Sequence, residues 1–199
     1  MKLSWVICTV GGILTASIVC NYSSAEESEL WSAGQYTFSD ELGGFTIRAI
    51  SGIGTLEDPI VVTEELDTAS PTTIVIRTER IAQHNPATAN AGLLFYLRVK
   101  AINGSGHPWI EFVFELQKQL GVLSDYYDGL SFYQAGDKTG MIHSDLFSTY
   151  RDESEPYDRM IFRNGFVDPN ATASFDFPIA DFTPKRTFYL VQDPRIPST

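Results

Sequence analysis

Three histidines, His84, His107 and His143, carry the side chains best suited to bind a transition metal or move a proton near neutral pH. None stands in a His-x-His or His-Glu-x-x-His arrangement, so a zinc or iron centre would have to be assembled from distant segments. His143-Ser144-Asp145 sets a histidine beside a carboxylate within a long polar connection, and is the fragment that best fits a catalytic or metal role. Gly104-Ser105-Gly106-His107 places a serine next to a histidine. A nucleophile elbow needs Gly-x-Ser-x-Gly at a strand-to-helix turn, so these glycines, which flank the serine directly, describe a tight turn instead. Glu111 and Glu115 share one face of an alternating segment, as a glycosidase acid pair would. Four strand residues separate their Cα atoms by roughly 13–14 Å, whereas the two glycosidase mechanisms need carboxyl groups about 5.5 Å or about 6.5–9.5 Å apart. Charge balance against Arg98 and Lys100 is the simpler reason for them. Gly52-Ile53-Gly54 resembles the start of a dinucleotide fingerprint, but Glu57 occupies the third glycine position, and Glu57-Asp58-Pro59 would repel a pyrophosphate.

Two ligand chemistries fit the residues better. No cofactor is expected; were a metal bound, calcium is the ion that fits, since Asp125, Asp128, Asp137 and Asp145 offer hard oxygen donors, with Gly129 and Gly136 to let carbonyls turn inward. The segment Asp125-Tyr126-Tyr127-Asp128-Gly129 does not have the alternating acids of an EF-hand loop. Tyr96, Trp109, Tyr126, Tyr127, Tyr133 and Tyr189 could form stacking platforms for a sugar, or pack the connection onto the body of the protein. Asn103-Gly-Ser and Asn170-Ala-Thr are glycosylation sequons at expected turns.

The elements that must position these residues are strands. Helical periodicity is nearly absent and alternation with period two recurs. Phe45, Ile47 and Ala49 point one way; Leu93, Phe95, Leu97, Val99 and Ala101 share a face; so do Ile110, Phe112, Phe114 and Leu116, and Ala173, Phe175, Phe177 and Ile179. Further strands are expected at Ile60–Val62, Thr72–Thr78, Leu130–Gln134, Tyr157–Arg163 and Arg186–Val191. Leu93–Ile102 and Trp109–Gln117 read as a hairpin that pairs Ala101 with Ile110 and Lys100 with Glu111 or, slipped by two residues, Arg98 with Glu111. The segment 118–156 reads as a long irregular insertion, acidic and aromatic, with at most a short strand near Phe132.

Met1–Ala25 has the pattern of a secretory signal: Lys2, an apolar run from Trp5 to Val19, then Ser23 and Ala25 at the −3 and −1 positions of a cleavage site. Cleavage there removes both cysteines, Cys8 and Cys20, and leaves 13 basic residues against 25 acidic ones, a charge of −12. Thiolate metal sites, disulfides and cysteine nucleophiles are then excluded. The full chain of 199 residues has a charge of −11 and a pI near 4.6. That balance argues against nucleic acid, which needs a basic footprint, and the 15-residue apolar run is too short for a comfortable span.

The fold expected is all-β: a single antiparallel sandwich, immunoglobulin-like or jelly-roll, spanning 26–199 in one domain with the insertion at about 118–156. Ile110–Leu116, and the turn Val167-Asp168-Pro169-Asn170 leading into Phe175 and Phe177, resemble the late strands of exported bacterial immunoglobulin-like domains. The resemblance covers about a third of the chain and implies a fold but no activity. The function expected is that of a secreted or periplasmic, non-catalytic binding domain. It would contact a neutral or cationic protein, glycan or envelope partner through 118–156, with Tyr126, Tyr127, Asp128 and Tyr150 touching it. The alternatives are a carbohydrate-binding sandwich, with or without structural calcium, and a hydrolase whose site is assembled from the long segment.

Overall fold

A computed structural model describes residues 30–78, 94–125, 128–132, 140–153, 157–182 and 185–198. The signal-like segment, His84, Tyr126, Tyr127, Tyr133 and Asp137 lie outside these residues. Among the described residues there is no α-helix, hence none long and apolar enough to cross a membrane. The strands are β1 (Trp31–Ala33), β2 (Tyr36–Ser39), β3 (Phe45–Ser51), β4 (Ile60–Leu66), β5 (Thr72–Thr78), β6 (Leu94–Asn103) and β7 (Glu111–Gln117). They continue with β8 (Leu130–Phe132), β9 (His143–Ser144), β10 (Phe147–Glu153), β11 (Arg159–Gly165), β12 (Thr172–Asp181) and β13 (Thr187–Arg195). One sheet runs β1-β2-β5-β13-β7-β11-β10, and the other runs β3-β4-β6-β12-β8 with β9 also on β12. Every pairing is antiparallel except β4 with β6. The chain is the all-β sandwich its alternation predicts.

Phenylalanine rings lock the sheets together. Phe112 of β7 lies 4.6 Å from Phe175 of β12, Phe114 lies 4.8 Å from Phe177, and Phe162 of β11 lies 5.0 Å from Phe175, all fully or almost fully buried. Fully burying a side chain of this size contributes roughly 1.5–3 kcal/mol, so this cluster is the main cohesive element between the layers.

Three expectations are corrected. First, β6 and β7 do not form a hairpin: β6 pairs with β4 and β12, while β7 pairs with β13 and β11 in the opposite sheet. Alternation fixes which residues face the core, and two strands that face each other across a sandwich carry the same pattern as two lying side by side. Lys100 is therefore opposite Ser174, and the outward glutamates meet β11 instead: Glu111 bonds Arg163 at 2.6 Å and Glu115 bonds Arg159 at 2.7 Å. Second, the alternation shifts at two ends. Trp109 is fully buried, donating its indole N–H to Ser105 Oγ at 3.2 Å, while Ile110 is 42% exposed. A bulge between Ile47 and Ala49 likewise turns Ala49 outward. Third, the segment 118–156 is not wholly irregular: β8 and β9 pair with β12, and β10 forms an edge of the larger sheet. The polar residues Ser148, Thr149 and Arg151 conceal β10 from a hydrophobicity reading, because an edge strand buries little.

Two turns support the bland readings of their motifs. Asn103 Oδ1 accepts from the Ser105 amide and hydroxyl, and Asn103 Nδ2 donates to the His107 and Val167 carbonyls. Asn103 is thus a buried turn-former whose amide nitrogen is committed, and cannot accept a glycan in the folded protein. In the loop 52–58, the amides of Ile53, Gly54 and Thr55 all converge on the Asp58 carbonyl. Gly52 has φ +89°, and a Cβ there would lie 1.9 Å from the Pro59 carbonyl oxygen, so only glycine can make this turn.

Candidate functional site

The loop just described walls a cleft on the outer face of the six-stranded sheet. Gly54 accepts the Tyr96 amide at 3.0 Å, which pins the loop to β6 and brings Leu56 and Pro59 to one rim. The opposite rim is Gly140, Met141 and His143, from the segment 118–156. Between the rims lies a cleft of about 120 Å³.

Its polar floor is a ladder across three adjacent strands. Arg98 of β6 and His143 of β9 both stand in register with Asp176 of β12. Arg98 Nε donates to Asp176 Oδ1 at 2.6 Å, and His143 Nε2 lies 3.3 Å from Oδ2. Asp176 is thereby held at both oxygens, while the imidazole stays half exposed at the rim. The contact with His143 is an ion pair only when the ring is protonated. Tyr96 Oη points toward the Met141 sulfur at 4.0 Å, so phenol and thioether close the wall beside the ladder. The lining mixes apolar surface (Leu56, Leu97, Phe177) with a few fixed polar groups, the usual makeup of a binding pocket. Its size is well below the roughly 300–1,000 Å³ of pockets that enclose a whole small-molecule ligand.

The residues singled out from sequence are dispersed. His143 reaches the cleft, but its carboxylate partner is Asp176 and not the neighbouring Asp145. Asp145 instead accepts the Ser174 amide at 2.8 Å and returns its own amide to the Ser174 carbonyl, a local brace of β12. Tyr150 lies on β10 with its ring 6.3 Å from Phe162, 39% exposed. Asp128 caps the turn into β8, accepting the Leu130 amide at 2.8 Å. Trp109, a proposed stacking platform, is inside the core.

A second group of polar residues sits at one corner. Asp158, immediately before β11, is 1% exposed, and neither carboxylate oxygen has a hydrogen-bond partner among the described residues. Burial, and then the charges of Asp128, Asp152 and Asp125, push its carboxyl up to about 7. As the side chains stand, no three acids, histidines or cysteines among the described residues are drawn up to hold a metal. Arg98, Asp176, Asp152 and Asp158 were not singled out by sequence as site residues. The Arg98–Asp176 contact spans 78 residues, and no local spacing announces it.

No protein-family model, no curated protein and no solved structure matches the chain.

Proposed function

We propose that the protein is an exported, non-catalytic binding domain whose outer-face cleft receives one side-chain-sized group of a neutral or cationic partner. The observation that carries this reading is the meeting, in one small concavity, of the ladder Arg98–Asp176–His143 with Met141 and Tyr96. A volume of about 120 Å³ suits the end of a side chain or a sugar substituent better than an enclosed substrate. His143 does not favour a hydrolase, because its carboxylate partner is already tied to a guanidinium and the pair fixes charge in place. Export rests on the pattern of residues 1–25, and the partner's charge rests on the −12 of the chain that follows.

The test is an amide-detected NMR titration with three small probes: butylamine, N-methylacetamide and N-acetylglucosamine. At least one should perturb the amides of 96–98, 140–143 and 176–177, and Met141→Trp, which fills the cleft, should abolish the effect. Perturbations that appear only around Asp128 and Tyr150, or that survive Met141→Trp, would sink the proposal.

A further inference from the structure

We propose that the group received by the cleft is a primary ammonium on an unbranched stem, the chemistry of a lysine side chain, held by Asp176 Oδ2 in competition with the His143 ring. The inference rests on the reading of the cleft as a binding site and names what it selects. The pointer is the uneven use of one carboxylate. Asp176 is only 9% exposed, and its Oδ1 takes a short bond of 2.6 Å from Arg98 Nε. Among the described residues, the contact of its Oδ2 is the His143 ring at 3.3 Å, beyond the usual length of a charge-assisted bond.

That geometry sorts cations. A guanidinium binds a carboxylate best as a two-pronged fork that uses both oxygens, and Arg98 already occupies one of them. An ammonium is a compact charge with three separate donors, so one remaining oxygen is enough to anchor it. Tyr96 Oη and the acceptor nitrogen of a neutral His143 ring belong to the same lining and suit its other donors. Leu56, Met141 and the Tyr96 ring offer apolar walls to the stem. On the opposite rim Glu57 and Asp58 are exposed beside Leu56 and Pro59, and add negative charge near the mouth. The charge of Arg98 opposes a second cation, so the affinity expected is weak, with Kd in the millimolar range.

The same geometry makes the site sensitive to acid. Imidazole is the side chain that ordinarily changes charge between about pH 5 and 8. His143 is the one histidine among the described lining residues. When its ring takes a proton it loses its acceptor nitrogen, sets a second cation beside the cleft and completes an ion pair with Asp176 Oδ2. All three effects oppose an ammonium. Among the described residues, the groups that face the ring are Asp176 of β12, Arg98 of β6 beyond it, and Tyr96 beside Met141. One step along the ladder, Lys100 stands opposite Ser174, whose amide is bonded by Asp145. The next strand, β10, carries Arg151, Asp152 and Glu153 at its far end.

The experiment measures Kd by amide-detected NMR for butylamine, methylamine and butylguanidine at about pH 7.5 and about pH 5.5, where all three stay cationic, at constant ionic strength. At the higher pH butylamine should bind more tightly than the other two. Its Kd should rise by about five- to tenfold at the lower pH. In His143→Gln the two Kd values should agree, whatever their size. By reciprocity, saturating butylamine should move the titration of the His143 ring, followed by its own proton signals, to lower pH. Should His143→Gln fail to fold, that ring titration decides. Equal Kd values at the two pH values, a pH effect that survives in His143→Gln, or an unmoved ring titration overturns the proposal. So does methylamine or butylguanidine binding as tightly as butylamine. Binding of N-methylacetamide or N-acetylglucosamine without binding of butylamine overturns it while leaving the cleft a binding site, and no binding by any probe overturns both.

Discussion

Among the described residues, two carboxyl groups are buried without a hydrogen-bond partner for either oxygen, and their surroundings differ. Glu64, on β4, sits between the sheets with none of its surface exposed. Its neighbour is the amide of Gln192, from β13 in the facing sheet, and a smaller push comes from Asp40, whose Oδ2 accepts the Ile47 amide. Burial alone accounts for most of its rise to about 8, which the amide offsets only in part. Asp158 is pushed to about 7 by burial and by three further carboxylates. A solitary acid deep in a core is made neutral most simply by keeping its proton. An acid set among other carboxylates has a second cause for keeping its proton, the repulsion of like charges. The same local symptom thus has mainly one cause in one place and two in the other.

The largest effect should come from opening the aromatic core that buries such groups. Phe114 is in register with Gln192 on one side and Met160 on the other, and its ring contacts Phe112 at 4.9 Å, Phe177 at 4.8 Å and Phe175 at 5.2 Å. Phe114→Ala should cost about 3–5 kcal/mol in urea unfolding, whereas Ile110→Ala, at a 42% exposed position, should stay within about 0.5 kcal/mol. Similar small losses at both positions would contradict the buried place of Phe114 between the sheets.

Next in size is the pH dependence that the buried proton of Glu64 imposes. The folded-state value of Glu64 lies above its unfolded value, so the folded protein holds a proton that the unfolded chain has released. This contribution to stability is fully present below the unfolded value near 4.5 and is lost as pH rises toward about 8. Between those limits the protein should lose on the order of a few kcal/mol from this group. Glu64→Gln should flatten the decline, measured by urea unfolding at a series of pH values. If the slope from pH 5 to 8 is unchanged in Glu64→Gln, the buried-proton account of this residue is wrong.

Much of the fold was legible in the chain, and the reason is local. Phe112, Phe114 and Leu116, or Ala173, Phe175, Phe177 and Ile179, declare their face by alternation, and all are buried. Which sheet a strand joins is a long-range choice, so the β6–β7 hairpin was a natural misreading, and with it the partners of Glu111 and Glu115. The site was less legible. His143 stood out by type, but Arg98 and Asp176 looked like ordinary outward residues until β6, β12 and β9 were set side by side. Asp158 was hidden for a different cause. It is the second residue of the strand expected at Tyr157–Arg163, one acid among many, and only three-dimensional burial sets it apart.

The smallest effect should belong to a third kind of carboxylate, one paired at the surface. Glu111 receives Arg163 Nε at 2.6 Å, with the arginine side chain 42% exposed and the glutamate 27% exposed. Water screens such a pair, and ordering two long side chains opposes the attraction, so exposed pairs typically contribute about 0.2–1 kcal/mol. Arg163→Gln should therefore lower stability by less than about 1 kcal/mol, with most of the difference disappearing at high salt. The contrast with Asp158 gives this small number its use. Where a guanidinium and solvent share the charge, removing the cation costs little and depends on salt; where burial dominates, as at Asp158, the effect should follow pH rather than salt. A loss of several kcal/mol in Arg163→Gln, insensitive to salt, would show that the outer face of the seven-stranded sheet is shielded from water and that the ladder of β7 and β11 belongs to a covered surface.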